Sequence, residues 1–273
     1  MKKTSISLYV FQVFKCLIYV LLTANIFFFY QEESLAVKST FSQGISITDI
    51  IQGFAATLDT AAWVMLLFLF ELNTSEYLKR LNSLNNAFIA KNFIRIFSYG
   101  LICYAFFGYL LKYILLINIE PFFIEDVCSL VDQGYYLIEN LDEYPLMTAS
   151  NCLALSNNPL FVLSGQAILG TKSDWQAIQN LGLVDIINSG TWILIVMIIE
   201  LEVLFGSKLL TTRLKFLNLK ILKTILYLIL FSAAAFWGFK GDFLDFWDAF
   251  LWLVAFFLIA VSYTHLRAHE THE

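Results

Sequence analysis

Asp59-Thr60-Ala61-Ala62-Trp63-Val64-Met65-Leu66-Leu67-Phe68-Leu69-Phe70-Glu71 is an apolar run with an acid at each end and a tryptophan near its start. The spacing returns in Asn188-x3-Trp192-x7-Glu200, and its first half in Asp248-x3-Trp252. Each copy lies in an apolar stretch. Each is preceded by another apolar stretch that opens with a cation four residues before a tyrosine: Lys15/Tyr19, Arg95/Tyr99 and Lys223/Tyr227. The chain reads as three tandem copies of one membrane hairpin.

Composition agrees. Of 273 residues 59% are apolar and 14% charged, with a mean hydropathy of +0.72. A soluble domain carries about 25% charged residues. A span needs roughly 20 apolar residues, and six segments qualify: 9–30, 50–70, 96–118, 183–205, 223–239 and 243–260. The last two are joined by Lys240-Gly241-Asp242 and form one hairpin. The expected fold is all-α: a polytopic membrane protein of six transmembrane helices, as three tandem pseudo-repeated hairpins (9–72, 93–205 and 218–260) within an integral bundle over 1–260. The first segment is expected to be a retained span rather than a signal peptide. Lys15 interrupts it, and no small-residue cleavage site follows Phe27-Phe28-Phe29-Tyr30.

Basic residues favour the cytoplasmic side of a membrane. Lys2, Lys3 and Lys15 share one side with Lys79, Arg80, Lys91 and Arg95, and with Lys208, Arg213, Lys215, Lys220 and Lys223. The other side holds Lys38, Lys172 and Lys240 among many acids, including Glu32, Glu33, Glu125, Asp126 and Asp142. This places the N-terminus in the cytoplasm and predicts residence in a bacterial inner membrane. The loop 72–95, with Leu78, Leu81, Leu84 and Phe88 at helical spacing, predicts an amphipathic helix on anionic headgroups.

Residues 119–182 form the longest connection, on the extracytoplasmic side. Helical spacing of Ile124, Val127, Val131, Ile138 and Leu141 predicts a helical insertion. Ser173-Asp174-Trp175-Gln176 fits a capping box with Ser173 at the N-cap, from which a helix runs on into span four. Cys128 and Cys152 both fall in this segment, where an oxidising compartment allows a disulfide. Cys16 and Cys103 lie in spans as small apolar side chains.

All three histidines, His265, His269 and His272, sit in the last nine residues. The run from Val261 resembles translated sequencing-adapter read-through. Residues 261–273 are therefore expected to be a non-native tail, and its histidines are not read as a metal site. The third repeat predicts a Glu at position 260, where Ala260 stands.

The repeated polar residues are the chemical candidates. Twelve residues at 1.5 Å each put Glu71 and Glu200 about 18 Å deeper than Asp59 and Asn188, near the cytoplasmic boundary. There Lys15, Arg95 and Lys223 are placed to pair with a glutamate inside each hairpin. Asp59, Asn188 and Asp248 in the outer part of the even spans are predicted to line a common axis. An intramembrane acid costs about 2.5–3.5 kcal/mol on insertion scales and faces protein or water. Trp63, Trp192 and Trp252 are expected to pack at mid-span. Three tandem hairpins also occur in mitochondrial carriers, but the proline-centred motif of that family's odd helices is missing here.

No G-x-x-x-x-G-K-[ST], H-E-x-x-H or G-x-S-x-G motif occurs, and no histidine precedes position 265. No enzyme, cofactor or metal is expected. The expected partners are the lipid bilayer and further copies or other subunits, not nucleic acid. The leading expectation is a non-enzymatic membrane module or subunit. The second is a transporter or channel for a small solute or cation through an acid-lined axis.

Overall fold

The computed structural model describes residues 2–40, 47–74, 85–155, 158–205 and 219–270. The chain is mostly helical. Its long helices are α1 (Lys2–Thr40), α3 (Ala55–Thr74), α4 (Asn85–Ile117), α6 (Lys172–Phe205), α7 (Leu219–Lys240) and α8 (Phe243–Glu270). Two short ones are α2 (Ile47–Gly53) and α5 (Cys152–Leu155). Among the described residues, five stretches are long and apolar enough to cross a membrane: Tyr9–Thr40, Ala55–Leu72, Ile89–Ile117, Lys172–Glu202 and Leu219–Lys240.

The helices run past the boundaries expected from hydropathy. The 39 residues of α1 contain no Gly or Pro to stop them, so they reach roughly 58 Å. Residues 75–84 and 206–218 lie outside the described residues, and with them Leu78, Lys79, Arg80, Leu81, Leu84, Lys208, Arg213 and Lys215 of the expected cytoplasmic face. Phe88 belongs to α4. Residues 271–273 are likewise outside, although the backbone of α8 continues to Glu270.

Each long helix packs on the next: α1 on α3, α3 on α4, α4 on α6, α6 on α7 and α7 on α8. Helix α8 returns to α1 and closes the ring. Gly108 lets α4 come close to the α2–α3 break, since a Cβ there would lie 2.5 Å from the Ile51 carbonyl oxygen. The α7–α8 turn is set by Gly241, whose φ of +86° suits only glycine readily. Asp242 N–H donates back to the Trp237 carbonyl, and the Asp242 carbonyl accepts from Phe246 N–H. One residue thus closes α7 and opens α8.

Residues 119–182 correct two expectations. Apart from a 3-10 turn, α5 and the start of α6, this segment is strand and loop, and the fold is not purely α. It builds a four-stranded sheet in the order β1-β3-β4-β2, from β1 (Ile119–Phe122), β2 (Tyr136–Leu137), β3 (Leu160–Leu163) and β4 (Ile168–Thr171). Strand β3 is antiparallel to β1 and β4, and β4 is parallel to β2. The helical spacing across 123–141 is interrupted by left-handed backbone at Asp132 (φ 65°) and Gly134 (φ 78°), leaving only a 3-10 turn at Val127–Leu130. Cys128 and Cys152 are joined by a disulfide beside Met147, Leu155 and Leu169.

The capping box also sits elsewhere. Thr171 Oγ1 accepts from Asp174 N–H at 3.3 Å, and the Asp174 carboxylate accepts from Thr171 N–H at 2.9 Å and from its hydroxyl at 2.6 Å. The N-cap is Thr171, not Ser173, because β4 delivers Thr171 directly to the helix start. Trp175, fully buried, packs with Ile138, Leu141 and Leu163 and donates to the Phe161 carbonyl at 3.1 Å, fixing the sheet on the bundle.

Candidate functional site

The ring places α3, α6 and α8 so that their polar positions meet. Asp59, Asn188 and Asp248 line one cavity of about 40 Å³, room for one or two waters. Trp63, Trp192 and Trp252 line it as well, one helical turn further along their helices. The Trp63 ring lies 6.1 Å from Trp192 and 6.3 Å from Trp252, and Trp192 lies 4.6 Å from Phe256. The three indoles pack across the axis.

Asp185, Asp245, Phe29, Tyr109 and Trp237 are among the lining residues that sequence reasoning missed. Asp185 and Asp245 stand three residues before Asn188 and Asp248, where the first copy has Ala56. Phe29, Tyr109 and Trp237 stand fourteen residues after Lys15, Arg95 and Lys223. Both offsets were readable in the sequence once the repeat was aligned beyond its tryptophans.

Four carboxylates therefore line the cavity, and none of its lining residues is basic. Some are partnered. Trp63 Nε1 donates to Asp59 Oδ1 at 3.0 Å, and Asn25 Nδ2 donates to Asp248 Oδ1 at 2.7 Å. Others are not. Asp185 Oδ1, Asn188 Oδ1 and Trp237 Nε1 are buried without a partner at hydrogen-bond geometry. Asp185 is 7% exposed and Trp237 3%.

Charged groups around the cavity have their own partners. Glu33, 2% exposed, accepts from Ala56 N–H at 2.8 Å, from Thr57 N–H at 3.0 Å and from the Thr57 hydroxyl at 2.6 Å. It thereby satisfies donors at the start of α3 that the break at Phe54 leaves open. Lys112 donates to both oxygens of Asp142 at 2.7 Å, tying α4 to the sheet domain. In the loops, burial and then the neighbouring Asp142 push the Tyr144 hydroxyl up, and burial is also the main cause of a raised Asp242 carboxyl.

At the other end of the helices two of the expected ion pairs form within their hairpins. Lys15 meets Glu71 at 2.6 Å, with the Tyr19 hydroxyl donating to the same carboxylate at 3.3 Å. Arg95 meets Glu200, joined by the Tyr99 hydroxyl at 2.6 Å. The third differs: Lys223 pairs with Glu202 on α6 at 2.9 Å. Without an acid at position 260, its nearest carboxylate belongs to the helix packed beside α7.

Cys16 and Cys103 are exposed on the outer faces of α1 and α4. No group of three or more His, Cys, Asp or Glu among the described residues is placed to hold a metal ion. No protein-family model, curated protein or solved structure matches the chain.

Proposed function

We propose that the chain is a six-span bacterial inner-membrane protein of three repeated hairpins, with a cytoplasmic N-terminus, that moves a small cation along its axis. The observation carrying this is the cavity: Asp59, Asp185, Asp245 and Asp248 converge on a water-sized space lined by no basic residue. Burying uncompensated carboxylates in a low dielectric costs several kcal/mol each after relaxation, so a positive partner is required. The hairpin repeat draws support from the lining itself, because α3, α6 and α8 contribute equivalent positions and so do α1, α4 and α7. The packing of α8 between α7 and α1 supports its reading as the sixth span.

The test is flux. Purified protein in sealed proteoliposomes, with a pH-sensitive dye and a sodium-sensitive dye inside, is expected to pass a cation down an imposed gradient. Asp59→Asn with Asp248→Asn is expected to remain folded and lose at least ten-fold in rate. A wild type that passes neither protons nor sodium above empty vesicles would overturn the proposal.

A second reading, a non-enzymatic membrane module or subunit, is favoured by the tryptophan cluster and by the Asp59–Trp63 and Asn25–Asp248 hydrogen bonds, which serve packing. Under that reading the wild type is silent and the double Asn variant unfolds.

A further inference from the structure

We infer that the cation held in this cavity is the proton, shared among Asp59, Asp185, Asp245 and Asp248 and one or two waters. This rests on the reading of the axis as a cation site, but not on any movement across the membrane.

The charge count around the cavity decides between protons and a metal cation. From α1, Glu33 faces the site, and its carboxylate is engaged by the α3 backbone. From α4 come Tyr109 and Lys112, and Lys112 is held by both oxygens of Asp142. Glu32, Asp142 and Asp242 lie on the outer side and add negative field. Helix α3 supplies Asp59, α6 supplies Asp185, α8 supplies Asp245 and Asp248, and α7 supplies only the neutral Trp237. Among the described residues no cation lines the cavity with the four carboxylates, although the field of Lys112 reaches Asp185. One sodium or potassium ion in 40 Å³ neutralises one of them. Protons neutralise each carboxylate where it stands, and a buried acid takes that course when no partner ion is available.

Geometry points the same way. The acids are not gathered for a metal ion: among the described residues no three His, Cys, Asp or Glu side chains are placed to grip one. A second, independent signal comes from Trp237. Its Nε1 is buried on the cavity wall beside Asp185 and meets no acceptor at full hydrogen-bond geometry among the described residues. An indole N–H can only donate, and a buried donor short of an acceptor is served by a bridging water. That water would donate to Asp185 Oδ1 or Asn188 Oδ1, both otherwise unpartnered. Asn188 is the one member of the ring that cannot take up a proton at ordinary pH. Uptake forms one O–H bond on an aspartate oxygen, the proton coming from hydronium, which is left as water.

The experiment is infrared difference spectroscopy on purified full-length chain in lipid nanodiscs. The expected result is a carboxylic acid carbonyl band present at pH 7, shifted in heavy water, that loses area in each of Asp59→Asn, Asp185→Asn, Asp245→Asn and Asp248→Asn. Adding sodium, potassium or ammonium chloride at neutral pH is expected to leave the band unchanged. No such band at pH 7 overturns the inference, and so does its loss on adding any of the three salts. The two proposals fail separately. A proton band without vesicle flux leaves this site standing and removes transport. Sodium flux without the band removes this site and leaves transport. Should one Asn variant not fold, Trp237→Phe keeps the test open: it is expected to shift the band without abolishing it, and an unshifted band counts against the water bridge.

Discussion

Replacing Lys112 by methionine is expected to be among the most costly single changes in the chain. Its ammonium donates to both oxygens of Asp142, and the two side chains are 13% and 19% exposed. Removing one partner of a buried pair leaves the other charge uncompensated, at about 3–5 kcal/mol. The damage is asymmetric. Asp142→Leu leaves Lys112 within the field of Glu33, so this change is expected to cost less, about 1–3 kcal/mol. The double variant removes both charges, and such replacements are often neutral or stabilising by roughly 1–4 kcal/mol. The cycle is read by equilibrium unfolding in detergent, following tryptophan fluorescence. The singles sum to about 4–8 kcal/mol and the double variant is near neutral, so the expected coupling is at least about 4 kcal/mol, with the double variant more stable than Lys112→Met. If Lys112→Met lies within about 0.5 kcal/mol of wild type, or the double variant loses the sum of the singles, the pair does not tie the sheet domain to α4 as described.

Gly241→Ala forces a side chain onto backbone at φ +86° and is expected to lower stability by about 1–2 kcal/mol, measured in the same unfolding assay; an unchanged midpoint refutes the turn geometry. Gly108→Leu drives a branched side chain toward the Ile51 carbonyl. A loss of about 1–3 kcal/mol is expected, and an equally stable variant means that α4 and the α2–α3 break are not in close contact. Reducing the Cys128–Cys152 bond, or changing both to serine, releases a loop with a sequence separation of 24. About 3.5 kcal/mol of chain-entropy stabilisation is lost, and limited proteolysis is expected to nick 128–152 first while the membrane helices stay intact.

The parts of this fold legible in sequence were those carried by long-period spacing. Asp59, Asn188 and Asp248 could be placed on one axis because each sits at the same distance from a tryptophan in an apolar helix. Asp185 and Asp245 escaped notice because the first copy has Ala56 at that position. The sheet was illegible for a different reason. Its strands are two to four residues long, shorter than any periodicity can mark. Its best signal was Ser164-Gly165 between the apolar runs Leu160–Leu163 and Ile168–Thr171, a hairpin turn with Gly165 at φ +77°. The α6 cap slid from Ser173 to Thr171 because a strand, not a loop, enters the helix. Lys223 chose Glu202 over an intra-hairpin partner because α8 has no acid at position 260.

Glu33 has an electrical consequence for the axis. A helix broken inside a membrane exposes about half a positive charge at its new start, and the start of α3 at Ala55 lies only one turn before Asp59. Left bare, that terminus would offset part of the aspartates' field and would itself attract anions. The Glu33 carboxylate acts as a built-in counter-anion that cancels it. The pull of the cavity on a proton is then set by its aspartates together with Glu32, Asp142 and Asp242. A chain with glutamine at position 33 would leave that terminus uncancelled, and its cavity would hold protons less firmly.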